Sequence, residues 1–185
     1  NSMIRNENER MNKYVERILL QAKLDRREVH LKKVPVNLNV LVDEAVEHFR
    51  LQVEEKGGVI RAELDPEGYV ISADEVHMLN VVCNLIDNAI KYSHDSLNIY
   101  IYTKQEGNRF IIGVRDTGIG IPKEAQDKVF KRFYRVPSGN VHNVKGFGLG
   151  LSYAKSIVEL HGGEIQLTSK KNKGTQVEII FKMES

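Results

Sequence analysis

The sequence predicts an α+β fold: a two-layer α/β sandwich with a mixed sheet and helices on one face, preceded by one long N-terminal helix. Two observations support this prediction. Stretches with apolar residues at helical spacing alternate with pairs of short strand-like stretches, and turn-forming residues separate the members of each pair. The 185 residues are 41% hydrophobic and 28% charged, a composition that excludes collagen-like, wholly disordered and disulfide-scaffold proteins.

The first predicted element is an amphipathic helix between residues 6 and 27, a stretch that contains no glycine or proline. Its apolar residues recur at helical spacing among many charges and include Met11, Val15, Ile18, Leu19 and Ala22. A single helix of this kind cannot bury its own apolar stripe. Either the domain that follows or a partner helix must cover it, and the sequence leaves both alternatives open.

The next elements are a helix over 38–55, two strands and a second helix. Gly57-Gly58 ends the first helix, as glycines commonly do. Strand-like stretches at 59–64 and 69–72 are separated by the turn sequence DPEG, which predicts a hairpin or a neighbouring pair of strands. The helix that follows is predicted over 74–91.

Alternating residues at 97–103 and 109–115 predict a hairpin that extends the sheet. From residue 122 to 143 the pattern weakens into a polar loop, and long loops of this kind often carry function. A glycine-rich segment then opens another helix, and the chain ends with strand-like residues at 164–169 and 175–182.

Charge and cysteine content narrow the possible functions. Lys and Arg total 27 against 25 Asp and Glu, so the net charge of +2 lacks the basic excess of a dedicated nucleic-acid binder. The single cysteine, Cys83, has apolar neighbours and is predicted to be a buried thiol rather than a reactive one. No apolar run is long enough to span a bilayer, and we expect this part of the chain to make no membrane contact.

The helix over 74–91 carries a line of polar residues beside its predicted core stripe of Leu79, Val82, Cys83, Ile86, Ala89 and Ile90. Asn80, Asn84 and Asn88 recur every fourth residue, and Lys91 continues the line. Asparagine is unfavourable in helix interiors, so this line of three asparagines indicates a function. Amide oxygens bind Mg²⁺ and lysine binds phosphate, which suggests a site for a magnesium-bound phosphate chain. The alternative is a polar helix edge without function.

Asp116 is a second candidate. It shares the parity of the apolar positions Phe110, Ile112 and Val114, so its carboxylate is predicted to point with the core residues. A buried carboxylate needs a hydrogen-bond donor, and the amino group of a ligand would supply one. The alternative is that Asp116 caps the turn over 117–120.

A third candidate is the glycine alternation Gly146, Gly148 and Gly150 at the start of the predicted fourth helix. Free backbone N–H groups at a helix N-terminus favour oxyanions such as phosphates. A Rossmann nucleotide site is disfavoured, because here a polar loop rather than a strand precedes the glycines.

In order and spacing, these segments resemble the conserved boxes of sensor histidine kinases. Residues 84–93 (NLIDNAIKYS) resemble the N box, 116–121 (DTGIGI) the G1 box, 130–135 (FKRFYR) the F box and 146–151 (GFGLGL) the G2 box. Gly174-Thr175 resembles the small G3 element. The resemblance implies that 35–185 form the catalytic ATP-binding domain of the GHKL fold, and that 1–34 form the second helix of the dimerisation and phosphoacceptor hairpin, without the first helix.

The resemblance also implies roles for individual residues. Asn88, assisted by Asn84, would hold Mg²⁺, while Lys91 and Arg135 would contact the phosphates of ATP. Phe130 and Phe133 would anchor a lid over the nucleotide. The other residues that would contact ATP are Tyr92, Asp116 (accepting the adenine amino group), Gly118, Gly120, Ile121, Gly146, Phe147, Gly148, Leu149, Gly150, Leu151 and Thr175. Many relatives have Thr or Ser at the position of Phe147.

The implied function is phosphoryl transfer from Mg-ATP to a histidine outside these residues, for relay to a response regulator in two-component signalling. The implied full protein is a homodimer anchored in a bacterial inner membrane, with this domain in the cytoplasm. His94 alone is followed by an acid, Asp95, but it lies in a predicted loop, so we expect no autophosphorylation within this chain.

Two alternatives remain. ATP-hydrolysing enzymes of the same fold resemble one another in placing a glutamate four residues before the magnesium-binding asparagine. Here that position holds Asn84, and an amide does not serve as a general base. The other alternative is a nucleotide-binding module for regulation or dimerisation, without transfer activity.

Overall fold

The computed structural model describes residues 29–93, 97–136 and 147–183, together with residues 15, 18, 19, 22 and 23 near the N-terminus. The chain divides into two compact units, 1–31 and 32–185, against a predicted division after residue 34. The five described residues of the first unit that precede residue 29 are helical, as predicted for this segment. His94 and Asp95 lie outside the described residues.

The second unit contains an open sheet, three longer helices and a small two-stranded sheet. In chain order its elements are β1 (Val34–Asn37), α1 (Leu38–Glu55), β2 (Val59–Glu63), β3 (Val70–Ala73), α2 (Glu75–Lys91), β4 (Asn98–Glu106), β5 (Arg109–Asp116), α3 (Lys123–Gln126), α4 (Gly150–Leu160), β6 (Glu164–Lys170) and β7 (Gly174–Lys182).

The larger sheet has the strand order β2-β4-β5-β7-β6. Its first pair, β2 and β4, is parallel, and the other three pairs are antiparallel. Helix α2 packs against both α1 and α4, and these helices also contact the sheet strands. The predicted mixed sheet with a helical layer is therefore confirmed.

The predicted pairing of β2 with β3 is wrong. Strand β2 pairs in parallel with β4, whereas β3 pairs antiparallel with β1 in the small sheet. Strand β1 was not predicted, because it has four residues, includes Pro35 and buries only Val36, which leaves no visible alternation. The turn between β2 and β3 thus joins two sheets. It is held by a hydrogen bond from Asn39 Nδ2 to the carbonyl oxygen of Asp65 (2.6 Å).

The core lies between the helices and the central strand β5. Phe110, Ile112 and Val114 are buried as predicted, and Ile111 on the opposite face is buried too. The tyrosine ring of Tyr102 covers that face, since a Cβ atom added at Gly113 would lie 2.1 Å from its Cζ. A strand at the centre of a sheet therefore shows less alternation of burial than a strand with one solvated face.

The core stripe of α2 is wider than predicted. Leu79 and Cys83, expected in the core, are only half-buried. Met78, Val81 and Leu85 are buried in addition to the remaining predicted residues. The reason is that α2 packs against two helices as well as the sheet, so its buried face extends beyond a single stripe. Burial nevertheless raises the pKa of the Cys83 thiol to about 11, which leaves it protonated at neutral pH.

Helix α1 begins at a capped N-terminus. The side-chain oxygen of Asn37 accepts hydrogen bonds from the backbone N–H groups of Asn39 (2.9 Å) and Val40 (3.4 Å). We expect Asn37→Ala to lower stability by about 1 kcal/mol, which corresponds to a melting temperature about 2–4 °C lower. Asn37→Ser retains a capping oxygen and should restore most of this loss in thermal denaturation. Equal losses in both variants would contradict the capping role.

Candidate functional site

The carboxylate of Asp116 lies at the end of β5, with one oxygen bound and the other open. Its Oδ1 accepts hydrogen bonds from the N–H groups of Gly118 (2.7 Å) and Thr175 (3.2 Å). Among the residues that the structure describes, none donates to Oδ2. Burial raises the pKa of Asp116, and the two N–H groups offset part of that rise. The Oδ2 atom is therefore a partly desolvated acceptor with no donor among the described residues.

The loop after Asp116 packs so closely against the protein backbone that glycine is required. A Cβ atom added at Gly118 would lie 2.3 Å from the carbonyl oxygen of Tyr92, and one at Gly120 would lie 2.1 Å from that of Lys170. Gly120 also has a positive φ of 64°. The sequence suggested that these glycines make room for a ligand. The structure shows that packing within the protein already demands both of them.

A hydroxyl and amide network ties this loop to the turn between β6 and β7. Ser169 Oγ accepts the N–H of Ile121 (2.8 Å) and donates to the carbonyl oxygen of Gly174 (2.9 Å). It also lies 2.9 Å from the hydroxyl oxygen of Thr175. Gln126 Nε2 donates to the carbonyl oxygens of Ile121 (2.9 Å) and Ser169 (2.8 Å). The network joins the predicted residues Ile121 and Thr175 beside Asp116.

The asparagine ladder of α2 meets the N-terminus of α4. Asn84 Nδ2 donates to the carbonyl oxygen of Asn80 (2.8 Å), which turns its Oδ1 towards α4. A Cβ atom added at Gly150 would lie 3.4 Å from Asn84 Oδ1 and 3.7 Å from Asn88 Nδ2. Within the described residues, the side chain of Asn88 forms no hydrogen bond. Helix α4 begins at Gly150 after the N-cap residue Leu149, and within the described residues no side chain caps its first N–H groups. Uncapped N–H groups at a helix N-terminus suit an anion.

Lys91 is paired with a carboxylate in this structure. Its ammonium group donates to Asp87, one helical turn earlier, in a half-exposed ion pair. Contact with a phosphate therefore requires Lys91 to share or leave Asp87. Tyr92 follows as the C-terminal cap of α2, with its N–H bound to the carbonyl oxygen of Asn88 (3.0 Å).

The residues on either side of the undescribed segment 137–146 meet through a backbone hydrogen bond. The N–H of Phe133, which has a positive φ of 57°, donates to the carbonyl oxygen of Gly148 (2.9 Å). The side chains of Phe133 and Phe147 are 58% and 43% exposed, so neither is inserted in the core. Phe130 instead lies under the ammonium group of Lys155, 5.8 Å from its ring centre.

The remaining predicted residues divide by burial. Leu149 is buried, Leu151 is half-buried and Arg135 is exposed. Gly146 lies outside the described residues, as does the whole segment 137–146. The structure therefore brings together the predicted residues at the end of β5 and along α2 and α4, and it leaves Arg135 at the surface beside the undescribed loop.

Three residues of the site were not singled out from the sequence. Asp87 carries a recognisable signal, because an acid four residues before Lys91 on a helix predicts an ion pair. Ser169 and Gln126 carry none, since a serine in a strand and a glutamine in a short helix are common surface residues. Only the folded arrangement shows that both act on the loop after Asp116.

Comparison with known proteins gives the family. The profile of the histidine kinase-, DNA gyrase B- and HSP90-like ATPases matches residues 73–185. The chain belongs to this family. ATP is accordingly its nucleotide, and the resemblance predicted from the four boxes is confirmed.

Its curated relatives include a sensor protein and a sensor protein kinase. The chain is 42% identical over 176 residues to the sensor protein RprX of Bacteroides fragilis, covering 94% of this chain and 34% of that protein. It is 35% identical to the sensor protein kinase WalK of Staphylococcus saprophyticus, covering 99% of this chain and 30% of that protein. The chain thus spans about a third of the length of these relatives.

Solved histidine kinases share the fold. The catalytic domain of ThkA is 26% identical with a TM-score of 0.70, covering 82% of this chain and 96% of that chain. AdeS of Acinetobacter baumannii matches with a TM-score of 0.77 at 23% identity, covering 97% of this chain and 82% of that chain. Across the described residues, no helix is both long and apolar enough to cross a membrane.

Asp116 should cost stability when ionised. Its pKa in the folded state is raised, so any stability it gives when protonated is lost as the pH rises through that pKa. We expect Asp116→Asn, which keeps an acceptor oxygen for Gly118 and Thr175, to match the wild type in melting temperature at low pH. Above the raised pKa the variant should be the more stable protein when no nucleotide is bound. A variant that is less stable at neutral pH would contradict this account of Asp116.

Proposed function

We propose that this chain binds Mg-ATP and presents the γ-phosphoryl group to a histidine that lies outside these residues, as the catalytic part of a sensor histidine kinase. The observation that carries the proposal is the carboxylate of Asp116, which is half-buried and held by two N–H groups, with one oxygen open. A site with one such acceptor beside a line of amides and an uncapped helix suits a ligand with an amino group at one end and phosphates at the other.

At the base end, Asp116 Oδ2 accepts the amino group of adenine. The carboxylate does not need to reorganise, because Gly118 and Thr175 already hold its other oxygen. Ile121 and Thr175 lie beside Asp116 and are both hydrogen-bonded to Ser169. Tyr92, at the end of α2, contacts the loop after Asp116 through its carbonyl oxygen, which accepts the N–H of Ile119 (3.0 Å).

At the phosphate end, Asn88, assisted by Asn84, would hold Mg²⁺. The residues fit this ion, because the side chain of Asn88 has no described hydrogen bond and Asn84 directs Oδ1 towards α4. Mg²⁺ usually takes one or two protein ligands and completes its shell with phosphate and water. When bound, it neutralises charge on the phosphates. The described residues contain no cluster of three or more His, Cys, Asp or Glu that could hold a metal ion.

The chain's own residues bind and orient the phosphates. The N–H groups at the start of α4 face the anion, and Lys91 exchanges Asp87 for a phosphate oxygen. Gly148 and Gly150 let the backbone approach, and Arg135 reaches the terminal phosphate from the edge of the loop. Catalysis of phosphoryl transfer is then mainly positioning and charge neutralisation.

Transfer rather than hydrolysis follows from Asn84. Its amide nitrogen is bound to a backbone carbonyl oxygen, and an amide has no proton affinity suited to activating water. Hydrolysis by this chain should therefore be slow, and a histidine side chain is a better nucleophile than water. Two solved structures with this fold support the proposed ligands, because ShkA was solved in complex with AMPPNP and ThkA in complex with the response regulator TrrA.

The partners and location of the whole protein belong to the same proposal. We propose a homodimer through the N-terminal helix and a companion helix outside these residues, with the accepting histidine on that companion in the same or the partner chain. A response regulator would receive the phosphoryl group. The full protein would be anchored in a bacterial inner membrane, with this domain in the cytoplasm.

The binding site is tested by titrating a non-hydrolysable ATP analogue with magnesium in a calorimeter. We expect Asn88→Ala to weaken binding by tenfold or more, since it removes the metal ligand, an interaction worth about 1.4 kcal/mol or above. Asn80→Ala is the matched control, because Asn80 stands on the same ladder but is exposed, and it should bind as the wild type does. Asp116→Asn should also lose at least tenfold in affinity despite its higher stability.

Two outcomes would contradict the proposal. One is the absence of binding in the wild-type domain, which would favour a regulatory module with a degenerate site. The other is equal binding by Asn88→Ala and Asn80→Ala, which would remove the phosphate end of the site from α2.

A further inference from the structure

The hydrogen bonds around Ser169 fix the direction in which the hydroxyl proton of Thr175 points. A serine hydroxyl has one proton to donate and two lone pairs that accept. Ser169 Oγ has three neighbours: the N–H of Ile121, the carbonyl oxygen of Gly174 and the hydroxyl of Thr175. Two of the three leave no choice of direction.

The N–H of Ile121 only donates, so at 2.8 Å it occupies one lone pair of Ser169. The carbonyl oxygen of Gly174 only accepts, so at 2.9 Å it takes the single proton of Ser169. The remaining contact, 2.9 Å to Thr175 Oγ1, must then run the other way, with the hydroxyl of Thr175 donating to Ser169. The proton of Thr175 is thereby committed within the protein.

Asp116 and Thr175 together form one corner of the candidate site, because the N–H of Thr175 donates to Asp116 Oδ1. With its proton committed, Thr175 Oγ1 offers only lone pairs. The open oxygen of Asp116 also only accepts when ionised. The corner therefore presents acceptors and no hydroxyl donor from either side chain. A ligand group with N–H bonds fits it, whereas a carbonyl oxygen would face two other oxygens.

We propose that Ser169 is a specificity-determining positioning residue, which sets the corner of Asp116 and Thr175 to accept a 6-aminopurine and reject a 6-oxopurine. This rests on the proposed function, because it takes the nucleotide base to bind at Asp116. Ser169 acts through Thr175 and does not itself touch the ligand. Its removal frees the proton of Thr175 to turn towards the base and donate to a carbonyl oxygen.

The test compares the affinities of ATP and inosine triphosphate for the magnesium-loaded domain by calorimetry. The two nucleotides differ at purine position 6, which carries an amino group or a carbonyl, and at the adjacent N1, which is a bare acceptor in adenine and an N–H donor in hypoxanthine. The effect of Ser169 is therefore judged from the change in the ratio between variants. We expect the wild type to favour ATP, and Ser169→Ala to lower the ratio of the two affinities by about tenfold, the effect of one reversed hydrogen bond. Ser169→Thr keeps the hydroxyl and should keep the wild-type ratio.

Gln126→Ala is the matched control for a loosened loop. It removes two hydrogen bonds to the carbonyl oxygens of Ile121 and Ser169 without freeing the proton of Thr175. We expect it to weaken both nucleotides alike and leave the ratio unchanged. In Thr175→Val, which has no hydroxyl to release, adding Ser169→Ala should not change the ratio further.

An unchanged ratio in Ser169→Ala would overturn the role of Ser169, as would an equal change in Gln126→Ala. Melting temperatures show whether each variant is folded. If Ser169→Ala does not fold, Ser169→Cys replaces it, because its thiol is only a weak acceptor for the proton of Thr175. Failure of the wild type to bind ATP would instead overturn the proposed function, so the two failures are distinguishable.

Discussion

The close approach of three backbone segments at the end of β5 is the constraint on which the candidate site depends. The loop after Asp116, the C-terminus of α2 and the turn between β6 and β7 meet at distances that admit no side chain, with glycines at 118, 120 and 174. A Cβ atom added at Gly174 would lie 1.9 Å from the carbonyl oxygen of Asp116. Because the backbone fills this space, the carboxylate is fixed in place by N–H groups from two of the segments.

The two ends of the site differ in how far they are formed before a ligand binds. At the base end, two N–H groups hold one oxygen of Asp116, and a hydroxyl network joins Ile121, Ser169 and Thr175. At the phosphate end, Lys91 is still paired with Asp87, and α4 begins without a cap. In the binding mode that we propose, base recognition is therefore pre-organised, while phosphate binding requires an ion pair to rearrange. This division suits a nucleotide that is selected by its base and activated at its far end.

The half-buried carboxylate is also expected to reduce stability when it is ionised. Burial raises the pKa of Asp116 because its charged form is poorly solvated. A fold selected for stability alone would place a neutral residue there. The conflict between local stability and the observed residue is itself an indication of function, and such conflicts are concentrated at sites where a ligand completes the hydrogen bonding.

The sequence predicted the elements whose signals are local. Helix α1 has the predicted bounds because glycines and an asparagine cap delimit it, and the β4–β5 hairpin follows from alternation around a tight turn. The pairing of β2 with β4 was not predictable from local pattern, since a helix and a second sheet separate the two strands along the chain. Strand β1 was missed because four residues with a proline show no period.

The candidate site shows the same limit. Asn84, Asn88 and Asp116 were found because each is an unfavourable residue for its local structure. Ser169 and Gln126 are ordinary residues in their strand and helix, and only tertiary hydrogen bonds give them a role. Ligand contact by Gly118 and Gly120 stays a prediction, and the structure adds a reason for glycine there that sequence reasoning lacked, namely contact with the protein's own backbone.

The most direct test of the central claim follows the γ-phosphoryl group of labelled Mg-ATP when the domain is mixed with a separate helix hairpin that carries a phosphoacceptor histidine. The account predicts acid-labile label on that histidine and little released phosphate. Replacing Asn88 by alanine should abolish both the labelling and the phosphate release. Rapid release of phosphate with no labelled histidine would contradict it, because water rather than histidine would then be the acceptor.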